Sequence, residues 1–93
     1  MATIYVITLE MAQYNLKSDK CTHKEAKNIG AFTSIDKARE HLFTLGKNYL
    51  PILKRPNNSI IYSGDILLIC DYGDKAQLEH KYTISEMDLK EDK

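Results

Sequence analysis

The chain has 93 residues, of which 43% are hydrophobic and 28% charged, and its 13 basic and 13 acidic residues give a formal net charge of zero. This length suits one domain with one modest core, and the composition is typical of a globular protein and argues against disorder over most of the chain. A neutral balance also argues against a protein dedicated to nucleic acids or membrane surfaces, because both kinds of binding use a surplus of Lys and Arg.

The start of the chain and its two cysteines predict a cytoplasmic protein. Met1 leads directly into an apolar segment, without the basic region and cleavage motif of a signal peptide. No apolar run approaches the ~18 residues that span a membrane. Cys70 lies in an apolar run, as a buried free thiol does, and Cys21 is far from it in sequence. We therefore expect reduced thiols and no membrane partner.

The first predicted element is a strand over residues 3–11, TIYVITLEM, which is rich in β-branched and aromatic residues. Tyr5, Ile7 and Leu9 form its more apolar face, which we expect to lie under a helix. Residues 12–28 lose the alternation and are mostly polar. They are interpreted as a long, mobile, mildly basic loop whose ends extend a hairpin, and loops of this length tend to be functional or disordered.

The stretch IGAFTSIDKAREHLFTL predicts a short strand that turns directly into an amphipathic helix. Thr33 is placed at the N-cap with Asp36 three residues later, which is the spacing of a capping box. Gly46 costs a helix about 1 kcal/mol relative to alanine, so the helix is predicted to fray after Leu45 and to stop by Tyr49. The apolar stripe recurs at spacings of three and four and consists of Ile35, Ala38, Leu42, Leu45 and Tyr49.

The second half of the chain predicts three further strands. Residues 51–58 contain two prolines and a closing Asn-Asn and form a connection, and residues 59–62 form a short strand. Residues 66–70, ILLIC, form a continuous apolar run of the kind that is buried on both faces. The alternating segment 78–85 is the return strand.

A tight hairpin is predicted to join the last two strands, with Gly73 and Asp74 as its two loop residues. This turn sets the register of the ladder. Its predicted pairs are Ile69 with Leu78 and Leu67 with His80.

These elements predict an α+β domain over residues 1–85 in the order ββαβββ, with an antiparallel sheet of four or five strands and one helix packed on one face. Residues 86–93 are charged and are predicted to be a disordered tail. The other face of the sheet keeps an aliphatic strip with nothing left in the chain to cover it. The strip consists of Ile66, Leu68, Ile4 and Val6.

Exposed apolar area of this kind usually marks an interaction surface. We therefore expect a protein-interaction module that binds another protein through the open face, an edge strand or the 12–28 loop, and that forms a homodimer. The alternative is that the sheet curls, or the loop folds back, far enough to shield the strip.

No sequence pattern predicts catalysis, since the chain lacks a Gly-rich phosphate loop, a nucleophile elbow and a Cys-x-x-Cys motif. Cys21, His23 and Glu25 alternate in the predicted loop without the second ligand pair of a zinc site. His80, which the predicted register points toward Leu67, is interpreted as a boundary residue of the core and not as a catalyst. We predict no enzyme activity, no cofactor and no metal.

The alternative function is that of an accessory protein for nucleic acids. No aromatic pair lies on a strand with interleaved Lys or Arg, so a solvated, lysine-rich loop is the ordinary explanation of these charges and nucleic acid is not the expected partner. The basic residues that would contact phosphate lie in the two predicted loops and are Lys17, Lys20, Lys24, Lys27, Lys54 and Arg55.

About half of the chain resembles a pattern of small uncharacterised bacterial and phage proteins. In these a first strand, a variable loop, a GxFxSxxKAxxxL strand-to-helix corner and a closing hairpin make up nearly the whole chain. The resemblance implies the fold and no catalytic residue, and a phage or mobile-element origin would favour a small inhibitor or regulator of a host or defence protein. The matching residues are Tyr5, Val6, Thr8, Glu10, Gly30, Phe32, Ser34, Lys37, Ala38 and Leu42.

Overall fold

The structure is a computed structural model that describes residues 2–73 and 75–89. Its strands form one antiparallel sheet in the spatial order β2-β1-β5-β4-β3, and the helix packs on one face of it. This confirms the predicted α+β class, the single packed helix and the ββαβββ order. The elements are β1 (Ala2–Asn15), β2 (Cys21–Phe32), α1 (Ile35–Asn48), a short 3₁₀ helix (Leu50–Lys54), β3 (Ser59–Ser63), β4 (Ile66–Tyr72) and β5 (Ala76–Leu89).

The two central strands, β1 and β5, pair without interruption from Ala2 opposite Leu89 to Asn15 opposite Ala76. This long pair gives the molecule its extended shape, 54 × 25 × 17 Å. The last strand therefore continues through residues 86–89, where a disordered tail was predicted, because β1 offers these residues backbone partners along one side. The rest of the predicted tail, residues 90–93, lies outside the described residues.

The predicted loop over residues 12–28 is a β-hairpin. β1 continues to Asn15, whose side-chain oxygen accepts the N–H of Lys17 at 2.9 Å and so shapes the turn. Asp19 in that turn has a φ of 56°, a conformation that aspartate tolerates, and β2 begins at Cys21. The loop prediction was wrong because strand pairing, and not burial, holds these polar residues in extended conformation.

The ladder between β4 and β5 differs from the predicted register by two residues. The connection consists of residues 73–75, of which Asp74 lies outside the described part, and it is longer than the two-residue turn that we predicted. Because a shift of two residues preserves the alternation, every side chain keeps its predicted face. The observed pairs are Ile69 with His80 and Leu67 with Tyr82, in place of Ile69 with Leu78 and Leu67 with His80.

The core lies between α1 and the face of the sheet that α1 covers, as the alternation predicted. Tyr49 at the end of α1 and Tyr82 in β5 share a hydrogen bond of 2.8 Å between their hydroxyl groups. The buried core side chains come from β1, α1, β4 and β5 and are Ile7, Leu9, Ala38, Leu42, Leu67, Ile69, Tyr82 and Ile84.

The helix begins one residue later than predicted and ends at Asn48, within the predicted limit of Tyr49. Its N-cap is Ser34 and not Thr33, since the Ser34 hydroxyl accepts the N–H of Asp36 at 3.2 Å. It also continues through Gly46, where fraying was expected. Gly46 is buried, and a Cβ there would overlap the hydroxyl of Tyr62, so this glycine serves a close approach between α1 and β3.

Candidate protein interface

The sheet has two edges, β2 and β3, whose outer backbone groups have no strand partner within residues 2–73 and 75–89. An edge of this kind is a template for pairing with another chain, and proteins often protect edges with charged side chains. β2 contains Lys24, Glu25 and Lys27, and its first eight residues are exposed. β3 has the sequence SIIYS, which contains neither a charge nor a proline. Only β2 is protected by charge.

Exposed hydrophobic side chains concentrate beside the uncharged edge. Eight large hydrophobic side chains are exposed in the described part of the chain, and five of them belong to β3, to α1 or to the 3₁₀ helix that packs against β3. We call these five the β3-edge surface. They are Phe43 (53% exposed), Leu50 (54%), Leu53 (46%), Ile61 (49%) and Tyr62 (44%). Tyr62 and Ile61 point to opposite faces of β3, so this surface includes both sides of the edge strand. Clustered exposed apolar groups mark interaction sites more often than isolated ones do.

An aromatic pair joins α1 to β3 within this surface. The rings of Phe43 and Tyr62 lie 5.9 Å apart, and the Tyr62 hydroxyl donates a hydrogen bond of 3.3 Å to the carbonyl oxygen of Phe43. Partial burial raises the pKa of the Tyr62 phenol above its usual 10.0. The ammonium of Lys47 lies 4.8 Å from the centre of the Phe43 ring, within the range of a cation–π contact.

The start of β3 is held in place by Asn58. Its side-chain amide donates to the carbonyl oxygen of Ile52 at 2.8 Å and to a carboxylate oxygen of Asp71 at 2.9 Å. Its side-chain oxygen accepts the N–H of Tyr72 at 2.6 Å. One residue thus ties the 3₁₀ helix, β3 and the end of β4 together, and it presents the edge on a fixed support.

The predicted aliphatic strip occupies the face of the sheet opposite α1, which we call the open face, but as two separate groups. β5 lies between β1 and β4, and it presents Lys81 and Thr83 to the open face beside the β4 residues. Leu68 lies opposite Ile61 of β3, so the β4 group of the strip reaches the β3 edge. The two groups are Ile66 with Leu68, which are partly buried, and Ile4 with Val6, of which Val6 is only 7% exposed.

The six basic residues of the alternative function are dispersed. Lys24 lies opposite Ala12 and Lys27 opposite Leu9, which places the two lysines on opposite faces of the sheet. The other four lie in the turn after β1 and at the end of the 3₁₀ helix, where Arg55 donates to the carbonyl oxygen of Tyr72 at 3.3 Å. These four are Lys17, Lys20, Lys54 and Arg55.

Cys21, His23 and Glu25 lie on the exposed β2 edge. A nitrogen of His23 is 3.3 Å from a carboxylate oxygen of Glu25, and the Cys21 thiol donates to the His23 carbonyl oxygen at 3.3 Å. No group of three or more His, Cys, Asp or Glu side chains suited to a metal ion occurs in the part of the chain that the structure describes.

His80 lies on the helix-covered side of β5, opposite Ile69, and its ring meets that of Tyr49 edge-on at 5.5 Å. Burial lowers the pKa of His80 below its usual 6.5, an effect that the charge of Asp71 partly opposes. Burial and the hydrogen bond with Tyr49 raise the pKa of the Tyr82 phenol. Both groups are therefore uncharged near neutral pH and form a packed boundary of the core.

Sequence reasoning did not select the aromatic pair or the two leucines of the 3₁₀ helix. The available signal was Phe43, a large aromatic residue that directly follows the buried Leu42 and so lies off the apolar stripe of the helix. Its partner Tyr62 could not be assigned from the sequence, because the contact depends on how α1 crosses the sheet.

Comparisons with protein-family models, with curated proteins and with solved structures find no match for this chain. None of the helices in residues 2–73 and 75–89 combines the length and the apolar character needed to cross a membrane. Inference about function therefore rests on the geometry of the chain itself.

Proposed function

We propose that this protein is a small non-enzymatic protein-binding module whose binding site is the β3 edge. The observation that carries the proposal is the coincidence of an uncharged, unpaired edge strand with the exposed hydrophobic side chains of the β3-edge surface. Proteins that recruit an extended segment of a partner commonly use such an edge.

Binding would proceed by strand addition. The outer N–H and C=O groups of β3 supply backbone hydrogen bonds to an extended segment, and side chains on the two faces supply specificity. On the open face, the segment would contact Ile61, which lies between it and Leu68 of β4. On the side of α1, it would contact Tyr62 and Phe43, which the hydrogen bond between them holds in place.

The proposal includes the role that the resemblance implied, an inhibitor or regulator of a host or defence protein. A module with one available edge suits that role, since it blocks a partner by occupying an extended segment of it. A phage or bacterial origin and a cytoplasmic location remain part of this proposal.

The test compares one charge placed on each edge. Ile61→Lys adds a charge to the β3 edge at a side chain that is 49% exposed, and Ala26→Lys adds the same charge to an exposed position of β2. The wild-type chain and both variants are immobilised and exposed to a lysate of the native host, after thermal unfolding has shown that all three fold.

We expect a partner that the wild-type chain and Ala26→Lys retain and that Ile61→Lys loses. Equal capture by all three chains, or loss with Ala26→Lys alone, would contradict the assignment of the site to β3.

A further inference from the structure

We infer that the segment that pairs with the β3 edge is β3 of a second copy of this chain, so that two sheets join into one ten-stranded sheet around a twofold axis. The inference rests on the proposed function and names the partner that occupies the edge, so any other protein that binds β3 must compete with the second copy. Three features of the edge carry it: its self-complementary sequence, its apolar continuity across the open face and its lack of charge.

The sequence of β3 is complementary to itself in antiparallel pairing. With Ile61 opposite the partner's Ile61, all five residues of Ser59–Ser63 are paired. In that register Ser59 meets the partner's Ser63, and Ile60 meets the partner's Tyr62. The Ser59–Ser63 and Ile60–Tyr62 contacts each occur twice, on either side of the single Ile61 pair on the axis, as a twofold interface requires.

An apolar row on the open face ends abruptly at this edge and is completed by the second copy. Ile61 lies directly opposite Leu68 of β4, so these two side chains form one row across the two strands. Pairing through β3 extends the row to four aliphatic side chains, which are Leu68, Ile61, the partner's Ile61 and the partner's Leu68. The half-exposed Ile61 would thereby be removed from water.

The face that α1 covers gains a matching set of contacts. Ile60 is partly buried and packs against the core. Because β3 is the edge strand, the core on this face ends at Ile60. The partner's Tyr62 would lie beside it. Because each Tyr62 is already positioned by Gly46 and Phe43, little side-chain order must be gained when the two copies meet.

Charge distinguishes β3 from β2 as a site for a second copy. No residue of β3 carries a charge, so no like-charged pair forms in the self-paired register. β2 would bring Lys24, Glu25 and Lys27 of each copy to the new contact, on a strand whose first eight residues are exposed. The second copy therefore pairs with β3 and leaves β2 free.

The decisive measurement is the mass in solution, determined by light scattering after size-exclusion chromatography at low and high salt. We expect the wild-type chain to have twice the mass of one chain at both salt concentrations, because the interface contains no ion pair. Ile61→Lys places two like charges on the twofold axis, and we expect a dissociation constant about a hundredfold higher, seen as a monomer mass. Ala26→Lys is the matched control and is expected to stay dimeric.

Amide hydrogen exchange gives an independent readout. In the dimer, the outward-facing amides of β3 are expected to exchange slowly and to become fast in Ile61→Lys, whereas those of β2 exchange fast in both chains. If Ile61→Lys fails to fold, Ile61→Thr keeps the β-branched shape and is expected to weaken the dimer without loss of the fold.

The outcomes separate this inference from the proposed function. A wild-type chain that is monomeric at all concentrations overturns the second copy as partner, and the capture comparison still decides whether the edge binds a different protein. A dimer that survives Ile61→Lys, or that keeps fast exchange along β3, overturns the self-paired interface directly.

Discussion

The two edge strands of this sheet, β2 and β3, differ in length and in charge. β2 is 12 residues long and carries Lys24, Glu25 and Lys27 among residues that are exposed, whereas β3 is five residues long and has no charge. Long edges offer many backbone groups to other chains and need protection, while a short edge offers only one limited contact. On the function that we propose, this difference directs association to β3 and away from β2.

The supports beneath the two edges differ as well. β3 pairs with β4, whose Leu67 and Ile69 are 0% and 1% exposed, and Asn58, which directly precedes β3, bonds to Asp71 and Tyr72 at the end of β4. Much of β2 pairs with the distal half of β1, where Glu10 is exposed. A rigid support suits a binding edge because less order must be gained on binding.

The strongest way to break the comparison is to remove the charges of β2. The triple variant Lys24→Val, Glu25→Val and Lys27→Val gives β2 the character of β3, with strand-forming residues in place of charged ones. Because a dimer joined through β3 has a β2 edge at each end, we expect association to continue beyond the dimer. Light scattering should show a mass that grows with concentration and does not fall with added salt.

The matched control removes similar charges from the turn after β1. Lys17→Ser, Asp19→Asn and Lys20→Ser eliminate two basic groups and one acid outside any strand, and asparagine tolerates the positive φ of position 19. This variant should keep the mass of the wild-type chain. If the β2 variant does so too, charge is not what keeps β2 unpaired.

A second, smaller effect is expected from the contact between Gly46 of α1 and Tyr62 at the β3 edge. Gly46→Ala places a Cβ against the Tyr62 hydroxyl and 2.7 Å from its ring carbon Cζ, so the half-exposed Tyr62 must move aside, and we expect a net loss of about 1 kcal/mol in the free energy of unfolding. In a Tyr62→Ala background the same change should instead stabilise α1 by up to about 1 kcal/mol. Urea denaturation of the four chains of this cycle measures the coupling, and simple additivity would show that Gly46 does not position Tyr62.

The smallest expected effect is a dependence of stability on pH, which arises from His80 in the middle of the sheet and not from either edge. Because burial lowers the pKa of His80 from 6.5, the unfolded chain takes up this proton first as the pH falls. The free energy of unfolding therefore has the full benefit of an uncharged His80 above pH 6.5. It decreases as the pH falls through the pKa of His80 in the folded chain. The midpoint of thermal unfolding should decrease between pH 7.5 and pH 5.5, and this decrease should be smaller in His80→Gln.

The edge histidine provides the control for this measurement. His23 lies on β2 with an exposed side chain, and His23→Gln should leave the pH dependence in place. A dependence that disappears with His23→Gln and persists in His80→Gln would reverse the assignment.

Local periodicity determined the elements and their faces. The spacing of Ala38 and Leu42 identified the buried stripe of α1, and the alternation around Ile7 identified the core face of β1, because these patterns depend only on the geometry of a helix or a strand. The same alternation kept the faces of β4 and β5 correct even though their register was off by two residues. Fold class and element order followed from the sequence alone.

Only the tertiary structure decided which strands pair and which side chains are neighbours. The 12–28 segment and residues 86–89 are strands because β1 and β5 supply each other with backbone partners along their full length, a reason invisible in their side chains. Strand order separated Val6 from Leu68, and the crossing of α1 brought Phe43 to Tyr62. Alternation assigns a residue to a face, but neighbours on that face depend on long-range pairing, and the β3-edge surface exists for that reason.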